Sequence, residues 1–387
     1  MRLALRLARR GYGHTSPNPM VGAVLVKTGR IIGQGWHRRA GEPHAEIESL
    51  RDAELKGHSP KGATLYVTLE PCCTHGRTPP CTEAIKAARI KRVVVGATDP
   101  NPSHCGRAFR ILRHAGIKVA SGVLADECIR LNEAFNHWIV RRTPLVTVKA
   151  AMTLDGKIAT ASGESKWITG EQARAHAMKL RAGADAILVG VNTVLADDPS
   201  LTSRSQKPGV RRRNERHPLQ RIVLDSKART PLTAKVVTDE FAALTTIVVT
   251  KAAPANRVAA LAKKVRVWVA PAAKVGRAVL SRPRRGADTA PYRGRVDLRW
   301  VLRKLGKEDI TRLLVEGGGE VNASFLLEGL AQRVTFFYAP KILGGRDARK
   351  AVGGEGVKRL EEVIRLRDVE WRRLGPDLFM TARVAVP

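Results

Sequence analysis

The sequence has no long hydrophobic run. Nowhere in its 387 residues does a stretch approach the roughly 18 consecutive apolar residues that a membrane-spanning helix needs. Four arginines interrupt the short apolar segment at residues 2–10, which predicts an amphipathic helix rather than a secretory signal peptide. We therefore expect a cytoplasmic protein without a membrane partner.

Cysteine is scarce, and its number is odd. Three of the 5 cysteines lie within residues 71–81, in the segment PCCTHGRTPPC, and we expect the other two, Cys105 and Cys128, to be buried. A chain of this length buries enough apolar surface to fold without disulfides, and a cytoplasmic compartment keeps thiols reduced. A disulfide is therefore disfavoured in this segment, and a metal site or a redox loop remains.

Aromatic residues make up only 4% of the chain, whereas basic residues are abundant. The 68 Lys and Arg outnumber the 35 Asp and Glu and produce a formal net charge of +33. This charge permits nucleic acid, an anionic surface or a phosphorylated small molecule as a partner. A surface for single-stranded nucleic acid would interleave stacking aromatics with the basic residues. We therefore interpret the charge as a solvated basic surface without a specific nucleic-acid partner.

The length predicts two domains. An opening hairpin of strands at 21–26 and 31–36 is followed by alternating helices and strands, a pattern that favours an α/β layered domain. Residues 141–144 predict a linker, because a proline ends the helical pattern before a new strand. We place the two domains at residues 1–143 and 144–387.

The second domain is also predicted to be α/β, and it contains a glycine-rich turn. A strand at 312–315 runs into Glu316-Gly317-Gly318-Gly319 and then into a helix. Glycines before a helix N-terminus let backbone amides approach phosphate oxygens, although the spacing is not that of the Rossmann fingerprint. Two segments rich in Arg, Pro and Gly, 205–220 and 272–296, predict surface insertions.

Three residues at the ends of predicted elements can form a metal site. His44 opens a predicted helix, Cys72 follows the strand predicted at 63–69, and Cys81 starts the next helix. One neutral imidazole and two thiolates suit Zn²⁺ and leave a fourth position for water, which is the layout of a catalytic site. Exposed amides at a helix start also stabilise a thiolate.

Glu46 shares the first helical turn with His44. A carboxylate there can take a proton from zinc-bound water and pass it to a leaving amine. Taken singly, His44 is more often a capping residue and Glu46 a solvated acid. Histidine-x-glutamate followed by proline-cysteine and a further cysteine is, however, the signature of zinc deaminases that act on nucleobases.

Five stretches closely resemble the riboflavin-pathway deaminase of the cytidine-deaminase superfamily. They are TSPNPMVG at 15–22, AGEPHAE at 40–46, LEPC at 69–72, GRTPPC at 76–81 and DPNP at 99–102. Eight residues separate the two cysteines, as in the riboflavin enzyme, where other superfamily members usually have two. The resemblance implies His44, Cys72 and Cys81 as zinc ligands and Glu46 as the proton shuttle. It also implies contacts to the pyrimidine or its ribosyl phosphate from Asn18, His37, Arg77, Asp99 and Asn101.

The resemblance has one departure. Family members commonly carry Ser-His directly after the first zinc cysteine, whereas this chain has Cys73-Thr74-His75. The sequence leaves open whether His75 takes the place of that histidine.

Four later stretches, with the glycine-rich turn, resemble the pyrimidine reductase domain that is fused to this deaminase, a relative of dihydrofolate reductase that uses NADPH. They are MTLDGKIA at 152–159, GESKWIT at 163–169, VNTVLADDP at 191–199 and LTSR at 201–204. The resemblance implies that NADPH lies near Ala151, Trp167, Thr193, Asp197, Ser226, Gly318, Gly319, Glu320, Val321, Asn322, Ala323 and Ser324. It implies that the ribosyl-phosphate substrate lies near Ser165, Arg181, Leu201, Arg204 and Glu316.

These observations predict an α/β protein with an N-terminal cytidine-deaminase-like α/β/α domain followed by a dihydrofolate-reductase-like α/β domain. The resemblance implies a bifunctional, homo-oligomeric enzyme of riboflavin biosynthesis, a dimer or tetramer. It would deaminate a phosphorylated ribosylaminopyrimidine with Zn²⁺ and then reduce the ribosyl group with NADPH. Two alternatives remain: a zinc-dependent nucleic-acid base deaminase with an accessory domain, and a non-catalytic module in which the zinc is structural.

Overall fold

The computed structural model describes residues 1–75, 79–203, 218–273 and 294–385. The chain divides into two compact units, Met1–Thr143 and Pro144–Pro387. Most of the two insertions predicted from composition lies outside the described residues. Within the described part of the chain the longest helix has 12 residues, and none is long and apolar enough to cross a membrane.

The first unit alternates strands and helices after its opening hairpin. Its elements in chain order are α1 (Arg2–Ala8), β1 (Gly22–Lys27), β2 (Arg30–Trp36), α2 (Ala45–Leu55), β3 (Thr64–Leu69), α3 (Cys81–Ala87), β4 (Arg92–Ala97), α4 (Arg107–His114), β5 (Lys118–Ser121), α5 (Ala125–Leu131) and α6 (Glu133–Arg141). Their sheet has the order β2-β1-β3-β4-β5. β1 is antiparallel to β2 and β3, whereas β3, β4 and β5 are parallel. Thr28 and Gly29 both have positive φ, as the two-residue turn of the predicted hairpin requires.

Helices cover both faces of this sheet. A methyl group added at Gly22 of β1 would lie 2.0 Å from the backbone oxygen of Ala4, so α1 packs directly on that face. One added at Gly33 of β2, on the opposite face, would lie 2.3 Å from the backbone oxygen of Ser49 in α2. The predicted α/β/α layering of this domain is therefore confirmed.

The second unit is built on a larger sheet. Its elements in chain order are β6 (Leu145–Thr153), β7 (Lys157–Ala159), α7 (Glu171–Ala182), β8 (Ala186–Gly190), α8 (Val191–Asp197), β9 (Gln220–Leu224), α9 (Lys235–Thr238), β10 (Thr245–Thr250), α10 (Ala255–Ala262), β11 (Arg266–Ala270), α11 (Leu298–Lys307), β12 (Arg312–Val315), α12 (Gly319–Leu327), β13 (Arg333–Ala339), β14 (Arg349–Lys350), β15 (Leu366–Leu374) and β16 (Asp377–Val384). The described residues form a nine-stranded sheet, ordered β11-β10-β9-β8-β12-β6-β13-β16-β15.

Seven of these strands, from β11 to β13, run parallel, and β16 and β15 follow antiparallel. The parallel strands bring their carboxyl ends to one edge of the sheet, where open α/β sheets bind ligands. This arrangement agrees with the predicted α/β class and with a dihydrofolate-reductase-like fold.

Strand β15 was not expected from the sequence. Eight of its nine residues are exposed, and its sequence LRDVEWRRL lacks the alternation of a half-buried strand. It pairs with β16 at the edge of the sheet. An exposed edge strand buries little, so its composition carries no periodic signal.

Candidate functional site

A histidine and two cysteines meet in the first unit. His44 immediately precedes α2, Cys72 follows β3, and Cys81 is the first residue of α3. The Nδ1 atom of His44 lies 3.5 Å from the Sγ atom of Cys72 and 3.3 Å from that of Cys81. All three ligand atoms lie within 4.8 Å of one another, close enough to hold one metal ion.

Hydrogen bonds couple the protonation of these three side chains. Hydrogen bonds from the Cys81 side chain, from His44 and from the Cys81 amide, the last at 3.2 Å, lower the pKa of the Cys72 thiol to about 4. The hydrogen bond to Cys72, together with burial, raises the pKa of Cys81. A nitrogen and two sulfurs in this arrangement are the donor set of a zinc site with one open position.

Glu46 lies beside this group in the first turn of α2. Its side chain is only 3% exposed, and burial raises the pKa of its carboxyl. His44 and the Cys81 side chain partly offset that rise, so the carboxyl is electrostatically coupled to the ligand set. The carboxyl can therefore hold or release a proton next to the ligand atoms.

The structure brings Asn18 and His37 together. The Nδ1 atom of His37 lies 3.1 Å from the carbonyl oxygen of Pro43, and its Nε2 atom lies 3.1 Å from the amide nitrogen of Asn18. A carbonyl only accepts, so Nδ1 carries the proton and Nε2 accepts from Asn18. Burial lowers the pKa of His37, which agrees with a neutral ring. The amide oxygen of Asn18 is thereby oriented by His37, which is itself only 2% exposed.

Asp99 and Asn101 lie in the loop after β4. One carboxylate oxygen of Asp99 accepts the backbone N–H of Asn101 at 2.9 Å. The other lies 3.1 Å from the Nδ1 atom of His104, a residue that sequence reasoning missed. Arg77, the remaining substrate contact expected in this domain, lies outside the described residues.

The five cysteines are all free thiols, so residues 71–81 contain no disulfide. Cys128 is buried as expected, and its sulfur packs on Gly96 of β4. The expectation for Cys105 was wrong, because this residue is exposed in the loop before α4.

In the second unit, Glu316 directly follows β12 and joins two cations. The guanidinium of Arg181 donates to both of its carboxylate oxygens, from Nε at 2.8 Å and from Nη2 at 2.9 Å. The ammonium of Lys149 donates to one of them at 3.4 Å. Burial would raise the pKa of Glu316, but Lys149 and Arg181 outweigh it and lower that pKa to about 2. The structure therefore brings together two predicted substrate residues, Arg181 and Glu316.

Lys149 was missed because it lies three residues before MTLDGKIA at 152–159, the first stretch that carries the reductase resemblance. Its position could have been found from strand pairing. β6 and β12 are parallel neighbours, and Val315 lies opposite Val148. Continuation of this register by one residue places Lys149 opposite Glu316.

The three glycines after Glu316 have different surroundings. A methyl group at Gly317 would lie 2.5 Å from Val321, and one at Gly319 would lie 2.3 Å from the backbone oxygen of Lys350. A methyl group at Gly318 would have nothing within 4 Å. Gly318 thus leaves the start of α12 open to a ligand, whereas its two neighbours are needed for close packing.

The other residues expected near NADPH divide into two groups. The first group lies toward the carboxyl ends of the strands and comprises Ala151 on β6, Thr193 and Asp197 on α8, and Ser226 after β9. Trp167 is 67% exposed. Within α12, in contrast, Asn322 and Ala323 are buried, and the Asn322 amide donates to the carbonyl of Ala351. Glu320 accepts the N–H of Gly354, and Ser324 donates to the carbonyl of Glu320.

Ser165 donates to Asp197 at 3.2 Å, so a predicted substrate residue contacts a predicted cofactor residue. The side chain of Leu201 is only 3% exposed and belongs to the core cluster that includes Ile187, so its main chain is the part that can face a ligand. Arg204 lies outside the described residues.

Two family models match the chain. The model for the cytidine and deoxycytidylate deaminase zinc-binding region matches residues 1–97. The model for the RibD C-terminal domain matches residues 144–380. The zinc-binding model covers His44, Cys72, Cys81 and Glu46.

Whole proteins are similar along their full length. The riboflavin biosynthesis protein RibD of Aquifex aeolicus is 44% identical over 380 residues, which are 98% of this chain and 96% of the relative. RibD of Actinobacillus pleuropneumoniae is 41% identical over 390 residues, which are 100% of this chain and 95% of the relative. Among solved structures, Acinetobacter baumannii RibD, form 1, has a TM-score of 0.81 at 34% identity and covers 100% of this chain and 98% of its own. A Thermotoga maritima diaminohydroxyphosphoribosylaminopyrimidine deaminase/5-amino-6-(5-phosphoribosylamino)uracil reductase has a TM-score of 0.77 at 34% identity, with coverages of 100% and 97%.

Proposed function

Because this chain belongs to the RibD family, we propose how its own residues divide the two reactions of a bifunctional riboflavin-biosynthesis enzyme. The enzyme is a deaminase and a reductase, with Zn²⁺ and NADPH as cofactors. We assign deamination to residues 1–143 and reduction to residues 144–387. The two compact units support this division. The substrate is a phosphorylated pyrimidine of the kind that the name of the Thermotoga relative describes.

In the deaminase domain we assign His44, Cys72 and Cys81 as the zinc ligands. Zn²⁺ held by these three residues would lower the pKa of a water molecule toward about 7 and so make hydroxide available at neutral pH. Glu46 would accept a proton from the attacking water and return it to the exocyclic amine, which then leaves as ammonia. Its raised pKa supports this role, because a carboxyl that both takes and returns a proton works best with a pKa near the operating pH.

Substrate contacts in this domain are assigned to Asn18, Arg77, Asp99 and Asn101, with His37 orienting the amide of Asn18. The buried carboxyl of Glu46 favours a catalytic centre over the structural-zinc alternative, because a structural site needs no proton carrier. The nucleic-acid deaminase alternative leaves the second domain without a role, whereas RibD relatives match the chain over both domains.

In the reductase domain, NADPH supplies the hydride that reduces the ribosyl group. We assign Gly318 as the place where the α12 N-terminus approaches the nucleotide, with Thr193, Asp197 and Ser226 along the same sheet edge. Backbone amides at a helix start favour anionic groups, and a side chain at position 318 would obstruct them.

Three charged residues face the sugar in this proposal. Arg181 uses three of its five N–H groups on Glu316 and on the carbonyl of Thr202, which leaves two for a phosphate. Lys149 is mostly buried beside the same carboxylate and donates a proton to the ribose as the ring opens. Glu316 holds both cations in place.

We further propose that the enzyme works in the cytoplasm as a homo-oligomer, a dimer or tetramer, without a specific nucleic-acid partner. The five free thiols support a reducing compartment. Strand β15 supports self-association, because this sheet edge exposes Val369 by 45% and Trp371 by 58%. Light scattering of the purified chain tests this, and a monomer at micromolar concentration would contradict it.

The buried Glu46 beside the His44, Cys72 and Cys81 ligand set is the observation that carries the deaminase assignment. Ammonia release and NADPH consumption are measured on the pyrimidine phosphate with the full chain, and zinc is measured in the same sample. Glu46→Gln should reduce ammonia release about 100-fold or more while zinc content stays the same.

The matched control is Glu48→Gln. Glu48 lies two residues after Glu46 and so on the opposite side of α2, where it pairs with Arg38 at 3.1 Å. It should leave ammonia release unchanged. Full ammonia release by the Glu46→Gln variant would refute the mechanism. Absence of substrate-dependent NADPH consumption by the folded wild-type chain would refute the reductase assignment.

A further inference from the structure

His104 connects two loops of the deaminase domain. It lies between β4 and α4, and its side chain is 18% exposed. Its Nε2 atom lies 2.9 Å from the hydroxyl of Thr74, and its Nδ1 atom lies 3.1 Å from the carboxylate of Asp99. Neither the sequence pattern nor the proposed reaction has so far assigned His104 a role.

The direction of these hydrogen bonds follows from the groups themselves. The ionised carboxylate of Asp99 only accepts, so Nδ1 of His104 carries the proton that it shares with Asp99. In the neutral ring, Nε2 then accepts from the hydroxyl of Thr74. Asp99 thus selects the ring tautomer, Thr74 donates to the other ring nitrogen, and the ring holds one oxygen of Asp99.

The loop that carries His104 is already attached to the metal-binding strand at another point. Glu70, which is only 4% exposed, accepts the backbone N–H groups of Asp99 at 3.2 Å, Gly106 at 2.9 Å and Ala108 at 3.0 Å. These bonds attach the backbone of the loop to Glu70, which lies two residues before Cys72. They do not fix the Asp99 side chain, whose second oxygen is bound by His104.

We propose that His104 is a positioning residue for deamination, which acts by holding the Asp99 carboxylate in its substrate-binding orientation and linking it to Thr74 beside the metal site. The inference rests on the proposed function, in which Asp99 contacts the pyrimidine or its ribosyl phosphate. The family histidine expected at position 74 is absent from this chain. Thr74 stands there instead and contacts His104 from a different loop, whereas His75 is exposed.

Removal of the imidazole should weaken substrate binding more than the chemical step. In His104→Ala, Asp99 loses a charge-assisted hydrogen bond and its carboxylate can rotate. We expect the KM of deamination to rise about tenfold, the value of one such bond. The kcat should change less than about threefold, because Glu46 and the ligand set are untouched. Zinc content and NADPH consumption should equal those of the wild type.

Two conservative variants separate the two hydrogen bonds. An asparagine amide nitrogen can occupy the place of Nδ1, so His104→Asn should still donate to Asp99 and restore the KM to within about threefold of wild type. A glutamine amide reaches toward the place of Nε2, so His104→Gln should engage Thr74 and leave the KM high. Rescue by Asn but not by Gln is the expected signature.

The remaining comparisons make the test decisive. His114 is an exposed residue of α4, and His114→Ala is the control that should leave the KM unchanged. An unchanged KM in His104→Ala, or a larger KM increase in His75→Ala, would overturn the inference. So would a loss of zinc and activity in His104→Ala that His104→Asn does not rescue, because that indicates a purely structural role. If the wild-type chain releases no ammonia, the proposed function itself fails and the inference falls with it. If the wild type is active, a negative result overturns the inference alone.

Discussion

Replacement of Glu316 by glutamine should destabilise the second unit by an amount that its surroundings define. The carboxylate is buried between Arg181 and Lys149, which lower its pKa from 4.5 to about 2. That decrease corresponds to about 3 kcal/mol of stabilisation of the charged form. A glutamine keeps the shape but leaves two buried cations without their counter-ion, which typically costs about 3–5 kcal/mol. We expect Glu316→Gln to lower the free energy of unfolding by about 3 kcal/mol at pH 7.

The difference between wild type and Glu316→Gln should depend on pH in a defined direction. Because the folded-state pKa is lowered, the stabilisation is fully present above pH 4.5 and disappears as the pH falls toward about 2. The two proteins should therefore differ equally at pH 7 and pH 6, and the difference should shrink at pH 3.

Urea titration with hydrogen-exchange mass spectrometry measures this in the full chain, because peptides from β6 and β12 report on the second unit alone. The control is Glu308→Gln. Glu308 pairs with Arg266 at 2.9 Å, but both side chains are about a third or more exposed, so the loss should stay below about 1 kcal/mol. A Glu316→Gln variant that matches this control, or a difference that persists at pH 3, would refute the reasoning.

Three further tests, with four substitutions in all, address other parts of the structure. Cys81→Ser should remove most of the bound zinc, measured by inductively coupled plasma mass spectrometry, because a thiolate ligand is lost; full zinc occupancy would contradict the ligand assignment. Gly319→Ala should lower the melting temperature, since the new methyl group meets the backbone of β14. Gly318→Ala should leave the melting temperature within about 2 °C of the wild type and raise the KM for NADPH. Equal melting temperatures of the two variants would show that the close contact at Gly319 is absent. Asp239→Asn should cost about 3 kcal/mol in urea unfolding, because Arg221 is 1% exposed and donates to both oxygens of Asp239 at 2.7 Å; a loss below about 1 kcal/mol would show that Arg221 finds other partners.

Local signals in the sequence were sufficient to predict the candidate ligand set and most of the elements. His44, Cys72 and Cys81 could be identified because each lies at the end of a strand or the start of a helix, and their residue types together suit few chemistries other than zinc. Most strands of both sheets could be predicted, because buried parallel strands are continuous apolar runs such as AILVG at 186–190.

Residues whose roles depend on distant partners could not be found in this way. Lys149 belongs to the Glu316 site only through the parallel pairing of β6 with β12. His104 reaches Thr74 across 30 residues of chain, and no local pattern distinguishes it from the exposed His114. The edge strand β15 was missed for a different reason, since almost none of its side chains is buried.

By itself the sequence determined the class of the fold and the chemistry of the metal site, because burial periodicity and ligand type are properties of short segments. Only the tertiary structure decided the surroundings of each functional group. It buried Glu46 and so raised its pKa, placed Glu316 between two cations and so lowered its pKa, and separated the open Gly318 from the packed Gly317 and Gly319. Solvation, charge pairing and close packing all depend on atoms from other parts of the chain, and those atoms come together only when the chain folds.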